Sequence, residues 1–212
     1  MSKTHTIITI GRQFGSGGRE IGKRLADELG IEFYDKELLS RAAKDSKICK
    51  ELFETHDEKP TNSFLYSLVM DTYSMGFASG SVNEMPLNHK IFLAQFDAIK
   101  KIAEEGPCVL VGRCADYALE ERDNVLSVFI HADMDKRIAA VMARDHINSR
   151  LKAKRKIEEI DEKRSTFRKE FTGEEWGQSK YYNLSIDTTH LSYQQAADLI
   201  LYYKKLAEEA QK

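Results

Sequence analysis

The chain has 212 residues, 42% hydrophobic and 31% charged, a balance that gives one domain a full core and excludes overall disorder. Its net charge of −2 provides no general basic field for nucleic acid, and no apolar run approaches the roughly 20 residues that span a bilayer. Cys49, Cys108 and Cys114 are widely spaced without a CxxC pair and the histidines lack ligand spacing, which argues against a disulfide framework or zinc site and for a reducing cytoplasm.

The opening "MSKTH" has no signal-peptide character and leads into Thr6–Ile10, a β-branched run without polar alternation, as expected of a central strand. A glycine-rich turn follows. Ile21, Leu25, Ala26 and Leu29 then share one helical face, which Gly30 closes. "IEFYD" reads as a second strand, with Asp35 suited to cap the next helix. Phe64, Leu65, Leu68 and Val69 suggest a helix before the loop "GFASGSVNEMP", and the region from about 36 to 90 is expected to be a mobile insert. Phe92, Phe96, Ile99 and Ala103 mark another helix, closed by "EEGP".

"CVLVG" and "VLSVFI" are two more strands of buried type. From Lys136 to Lys169 there are twelve Lys or Arg against five Asp or Glu, in a stretch of helical composition with a weak apolar face. "NLSIDT" is a last strand, and "SYQQ" offers a capping box at Ser192 and Gln195 for a helix with Ala196, Ile200 and Tyr203 inward. Five strands alternating with helices predict an α/β chain whose parallel sheet is covered on both faces, in a single domain over residues 1–212.

The chemistry concentrates in "GRQFGSGGREIG", Gly11 to Gly22. A strand that ends in a glycine turn and opens a helix aims backbone N–H groups and the positive end of a helix dipole at one point, which suits an anion. Gly15, Gly17 and Gly18 permit positive φ and close approach, and Ser16 adds a hydroxyl. The stretch matches neither G-x-x-x-x-G-K-[ST] nor G-x-G-x-x-G: aligned by the helix, Gly18 stands where the lysine belongs. Arg19 is the nearest cation following it, and a turn shaped only for backbone geometry is the alternative reading.

In sequence order, "ITIGRQFGSGGREIG", "FYDKELL", "CVLVGRCADYAL", "DEKRSTFRKEFTGEEWG" and "YYNLSIDTTHLS" resemble the cytidylate kinase-like family of P-loop nucleoside monophosphate kinases. The resemblance covers nearly the whole chain. It implies a three-layer P-loop kinase sandwich on a five-stranded parallel sheet, a helical monophosphate-binding insert and a basic lid at about 144–176. It also implies ATP and Mg2+ as cofactors.

By that similarity, Gly11, Gly15, Ser16, Gly17, Gly18 and Arg19 would bind nucleotide phosphate. Asp35, Arg41, Arg113 and Asp161 would bind substrate, and Arg19, Arg113, Arg164 and Arg168 would serve transfer. Simpler readings stand beside these: Asp35 as a helix cap, Arg41 on a solvated helix face, and Asp161–Arg164 as a surface ion pair. The family's strand-end D-G-R-D reads Val111, Gly112, Arg113, Cys114, and Glu20 replaces its threonine, so no metal ligand is assigned.

The resulting expectation is phosphoryl transfer from ATP to a cytidylate-like monophosphate. A non-catalytic nucleotide- or phosphate-responsive module on the same scaffold is the alternative. The partners are small-molecule nucleotides rather than nucleic acid or membrane, and the sequence does not specify the oligomeric state.

Overall fold

Alternation of β-branched runs with amphipathic helices is realised in the computed structural model, which describes residues 6–35 and 87–210, with side-chain surroundings from residue 95 in the second stretch. The chain divides into two compact units, one formed by residues 1–34 with 106–212 and the other by residues 35–105.

The first unit holds the sheet. Its strands are β1 (Ile7–Arg12), β2 (Glu32–Tyr34), β3 (Cys108–Val111), β4 (Val125–His131) and β5 (Leu184–Asp187). They run in the order β2-β3-β1-β4-β5, every neighbouring pair parallel. Parallel strands require crossovers that cover the faces, so central strands read as continuous apolar runs. Ile7, Ile8, Thr9 and Ile10 are accordingly all buried, as is the whole of β3.

Helix α1 (Gly18–Leu29) follows the glycine turn, buries Ile21, Leu25 and Ala26, and ends at Gly30 in the left-handed conformation. These side chains join Ile8, Ile10, Val109, Val128 and Ile130 in one core, which also takes Ala196, Ala197 and Ile200 from the last helix. The capping box of that helix forms as expected: Gln195 N–H donates to the Ser192 hydroxyl, and Ser192 N–H donates to the Gln195 side chain.

The second unit contributes Asp35, which is buried, and helix α2 (Leu87–Glu105), with Ala98, Ile99, Ile102 and Ala103 buried along one face. Most of the expected insert, and with it Arg41 and Cys49, lies outside the described residues.

After β3 comes a single turn of helix, α3 (Ala115–Ala118), and after β4 come α4 (Met134–Arg144) and α5 (Arg150–Thr172); Tyr193–Ala210 is α6. The basic stretch is thus a helical hairpin. Ile138 and Val141 of α4 pack on Ala153 and Ile157 of α5, with Phe14 from the glycine turn against them. Lys156 reaches across from α5 to Asp145, which also binds Arg144. These partners hold the Asp145 carboxyl well below the usual carboxylate range, the Arg144 hydrogen bond most strongly.

Candidate active site

In a sheet of this order the chain leaves β1 toward β2 on one side and passes from β3 to β4 on the other, and such a switch point places ligand sites outside the carboxyl ends of the central strands. The glycine turn lies there. Gly15 has φ 83° and Gly17, the N-cap of α1, has φ 87°, values that other residues adopt only at a cost. Close approach adds a second demand. A Cβ on Gly17 would lie 2.7 Å from Tyr193 Cδ1, and one on Gly15 would lie 2.9 Å from the Arg137 carbonyl oxygen.

The turn is fastened from three sides. Gln13 N–H donates to the Ile130 carbonyl, and the Gln13 side chain accepts from Ala132 N–H. Thr188, just beyond β5, donates its hydroxyl to the Ser16 carbonyl at 2.8 Å. The Ser16 hydroxyl itself contacts the carbonyls of Gln13 and Ile130 and is buried. In this structure the Ser16 hydroxyl thus fastens the turn to β4.

The third fastening comes from α5. Asp161 accepts Phe14 N–H at 2.7 Å and pairs with the buried guanidinium of Arg137 from α4. Arg164, one turn later, donates to the Arg12 carbonyl at 3.0 Å. Arg144 and Arg164 both stack on the Phe14 ring, at 4.6 and 5.5 Å from its centroid. Asp161 and Arg164 are thus brought to the glycine turn; they lie 3.7 Å apart as the expected ion pair, and their other partners are distant in sequence.

The other expected residues are placed as follows. Arg19 begins on the first turn of α1, is exposed, and lies 5.8 Å from the Phe33 ring of β2. Arg113 follows Gly112 in a turn where residues 112, 113 and 114 all have positive φ, at 81°, 61° and 53°. Three such residues in a row store strain of about 1–3 kcal/mol for each non-glycine member, a pattern concentrated at functional sites. Arg168 is buried between Asp116 at 2.5 Å and Glu174, so its charge is compensated inside the protein. Burial raises the Asp116 carboxyl, against the pull of Arg168. Burial, with the Asp116 charge, pushes the Cys114 thiol up to about 12, which keeps it protonated and unreactive at neutral pH.

The segments that hold Trp176 and Tyr182 supply an aromatic wall. Trp176 meets Phe129 edge-on at 5.4 Å, and Tyr182 lies against the same ring at 5.0 Å. Gly11 has no room for a side chain beside them.

A model of the cytidylate kinase-like family matches residues 7–190. The chain belongs to that family. No match appears among the curated proteins. Among solved structures, an uncharacterized protein from Eubacterium ventriosum is similar with a TM-score of 0.70 and 27% identity, over 94% of this chain and 98% of that one. A gluconokinase from Sinorhizobium meliloti has a TM-score of 0.52 and 13% identity, over 99% and 97% of the two chains. A shikimate kinase from Bacteroides thetaiotaomicron has a TM-score of 0.51 and 13% identity, over 96% and 98%. The fold is that of P-loop kinases.

Residues missed by sequence reasoning are Arg12, Phe14 and Tyr193, together with the bracing work of Arg137 and Asp161. Arg12 was legible in one respect: with the loop aligned by its helix, it occupies the first glycine position of G-x-x-x-x-G-K.

Proposed function

We propose that this cytidylate kinase-like chain transfers the γ-phosphoryl group of ATP to a nucleoside monophosphate, with a cytidylate-like acceptor as the first candidate. The observation that carries the reading is the glycine turn at the carboxyl end of β1, opening α1 and braced by Asp161 and Arg164. Turn amides and the α1 dipole would cradle the triphosphate. Attack is by a phosphate oxygen of the acceptor, already ionised at neutral pH, in line with the bond to the leaving diphosphate, so no strong general base is needed. Catalysis then rests on alignment and on cations that stabilise charge in the transition state. Arg164 is assigned that role from α5, and Arg113 and Arg41 are assigned to the acceptor. Arg168 holds Asp116 and Glu174, and its contribution is to fix the turn after β3.

Magnesium accompanies ATP in kinases of this fold, held by a Ser or Thr after the loop lysine and by a strand-end carboxylate. With Gly18 at the lysine position, the residue after it is Arg19 and the next, where the family has threonine, is Glu20, and the strand-end position is Val111, so neither the hydroxyl nor the strand-end carboxylate is present. Among the described residues no group of three or more His, Cys, Asp or Glu could hold a metal, and Asp116, near the strand end, is engaged by Arg168. The described residues do not fit a protein-held magnesium, and no step of the proposed transfer is routed through one.

The missing carboxylate and lysine also favour a second reading, a nucleotide-responsive module without turnover. Incubation of the pure protein with ATP, magnesium and each common monophosphate, followed by nucleotide chromatography, decides between them. A diphosphate product from one acceptor supports transfer, with Arg164→Ala expected to lose turnover while retaining ATP. No product from any acceptor moves the assignment to the binding module.

A further inference from the structure

The loop has no lysine, yet a cation lies where one is wanted. Alternate side chains of β1 point toward α1: Ile8 and Ile10 enter the core shared with Ile21 and Leu25, and Arg12 is the next in that series. Its Cβ and Cγ lie over Gly18, where a Cβ on the glycine would come within 2.6 and 3.0 Å of them. Its guanidinium ends at Gly112, where a Cβ would lie 2.8 Å from Cζ and closer still to Nη1. Gly112 is tied to the same strand, donating its N–H to the Ile10 carbonyl at 3.0 Å. The Arg12 side chain therefore runs from the first residue of α1 to the end of β3 through space that two glycines leave open. Its own carbonyl is held by Arg164.

We propose that Arg12 is the phosphate-contacting cation of this site, replacing from β1 the lysine that P-loop kinases carry on the first turn of the helix. The proposal rests on the nucleotide reading above and names the residue that makes it chemically workable. It accounts for three departures at once. Gly18 cannot carry a lysine while Arg12 crosses it. Gly112 must lack a Cβ for the guanidinium to reach the strand end. A fixed positive charge at the end of β3 would attract the same phosphate oxygens that a strand-end carboxylate elsewhere serves through a metal, so Val111 needs no carboxylate. A guanidinium offers a rigid fork of donors, suited to bridging two phosphate oxygens rather than to one point contact.

The test exploits the mutual exclusion of Arg12 and a lysine at position 18. Calorimetric titration of the full chain with ATP is done for wild type, Arg12→Gln, Gly18→Lys and the double variant R12G/G18K, with a thermal melt of each. The double variant restores the glycine and lysine of G-x-x-x-x-G-K. Arg12→Gln is expected to bind ATP roughly 10- to 100-fold more weakly, the loss of a charge-assisted contact. Gly18→Lys alone is expected to lose binding because the new side chain collides with Arg12. R12G/G18K should return to within about threefold of wild type.

A purely structural Arg12 would not be rescued by a lysine on another element. Arg12→Gln binding within twofold of wild type, wild-type binding by Gly18→Lys alone, or a double variant no better than Arg12→Gln would each overturn the proposal. Should Arg12→Gln fail to fold, the double variant, which also lacks Arg12, decides alone. Absence of ATP binding by the wild type is a different failure: it removes the nucleotide reading itself, and the Arg12 assignment with it.

Discussion

Replacing Asp161 separates a substrate-binding carboxylate from a structural one. Its side chain is 14% exposed and meets Phe14 N–H at 2.7 Å and the Arg137 guanidinium, itself 7% exposed. Asp161→Ala removes an ionised acceptor from a main-chain donor, worth roughly 1.5–3 kcal/mol, and leaves Arg137 buried without its counter-charge. Breaking a buried pair from one side costs about 3–5 kcal/mol, and because the two effects share one carboxylate they do not add in full. The expected loss is therefore about 4 kcal/mol, or a fall in Tm of roughly 8–16 °C for a chain of this size. Asp161→Asn should lose less, because its amide oxygen still accepts from Phe14. Urea denaturation of both variants, with slopes compared to confirm an unchanged unfolding transition, measures the difference. An Asp161→Ala protein within 1 kcal/mol of wild type would refute the bracing argument and return Asp161 to substrate binding.

Gly17→Ala combines a left-handed φ of 87° with a Cβ 2.7 Å from Tyr193 Cδ1, so it should cost about 2–5 kcal/mol in the same assay. Gly17→Ala/Tyr193→Ala should recover only the steric part; a loss under 1 kcal/mol in the single variant would contradict the packing described. For Asp145 the folded carboxyl is depressed, so its stabilisation is complete above the unfolded value near 3.9 and is lost as pH falls through the lower folded value. Wild-type stability should thus fall more steeply below about pH 4 than that of Asp145→Asn, and parallel acid-denaturation curves would count against it.

Strand count, the parallel sheet and the caps at Gly30 and Ser192 were legible because each depends on local pattern: β-branched runs, a helical apolar face, a residue that tolerates positive φ. The glycine turn was legible for the same reason. Its supports were not. Asp161 bonds to Phe14 across 147 positions and Thr188 to Ser16 across 172, separations at which residue type predicts no partner. Arg168 shows a different limit: the resemblance gives it a role in transfer, and the structure adds partners, Asp116 and Glu174, that no local pattern announces. Sequence alone could not supply them, since an arginine that clamps and one that meets substrate share the same chemistry and differ only in what surrounds the fork.

The same consideration explains why the cation could leave the helix. A lysine on the first turn of α1 is a flexible stem whose charge finds the phosphate by rotamer choice. A charge on β1 starts from a central strand hydrogen-bonded on both sides, with its carbonyl held by Arg164 and its side chain confined between Gly18 and Gly112. Confinement lowers the conformational entropy that remains to be lost when a ligand arrives, so position is fixed before binding rather than by it. The arrangement then depends on both glycines, in different ways: a methyl group at Gly112 would displace the guanidinium, far from the turn amides, whereas one at Gly18 would press on the Arg12 Cβ and force strand and turn apart. Weak binding with the cradle preserved is the outcome that a helix-borne lysine would not show on substitution of Gly112.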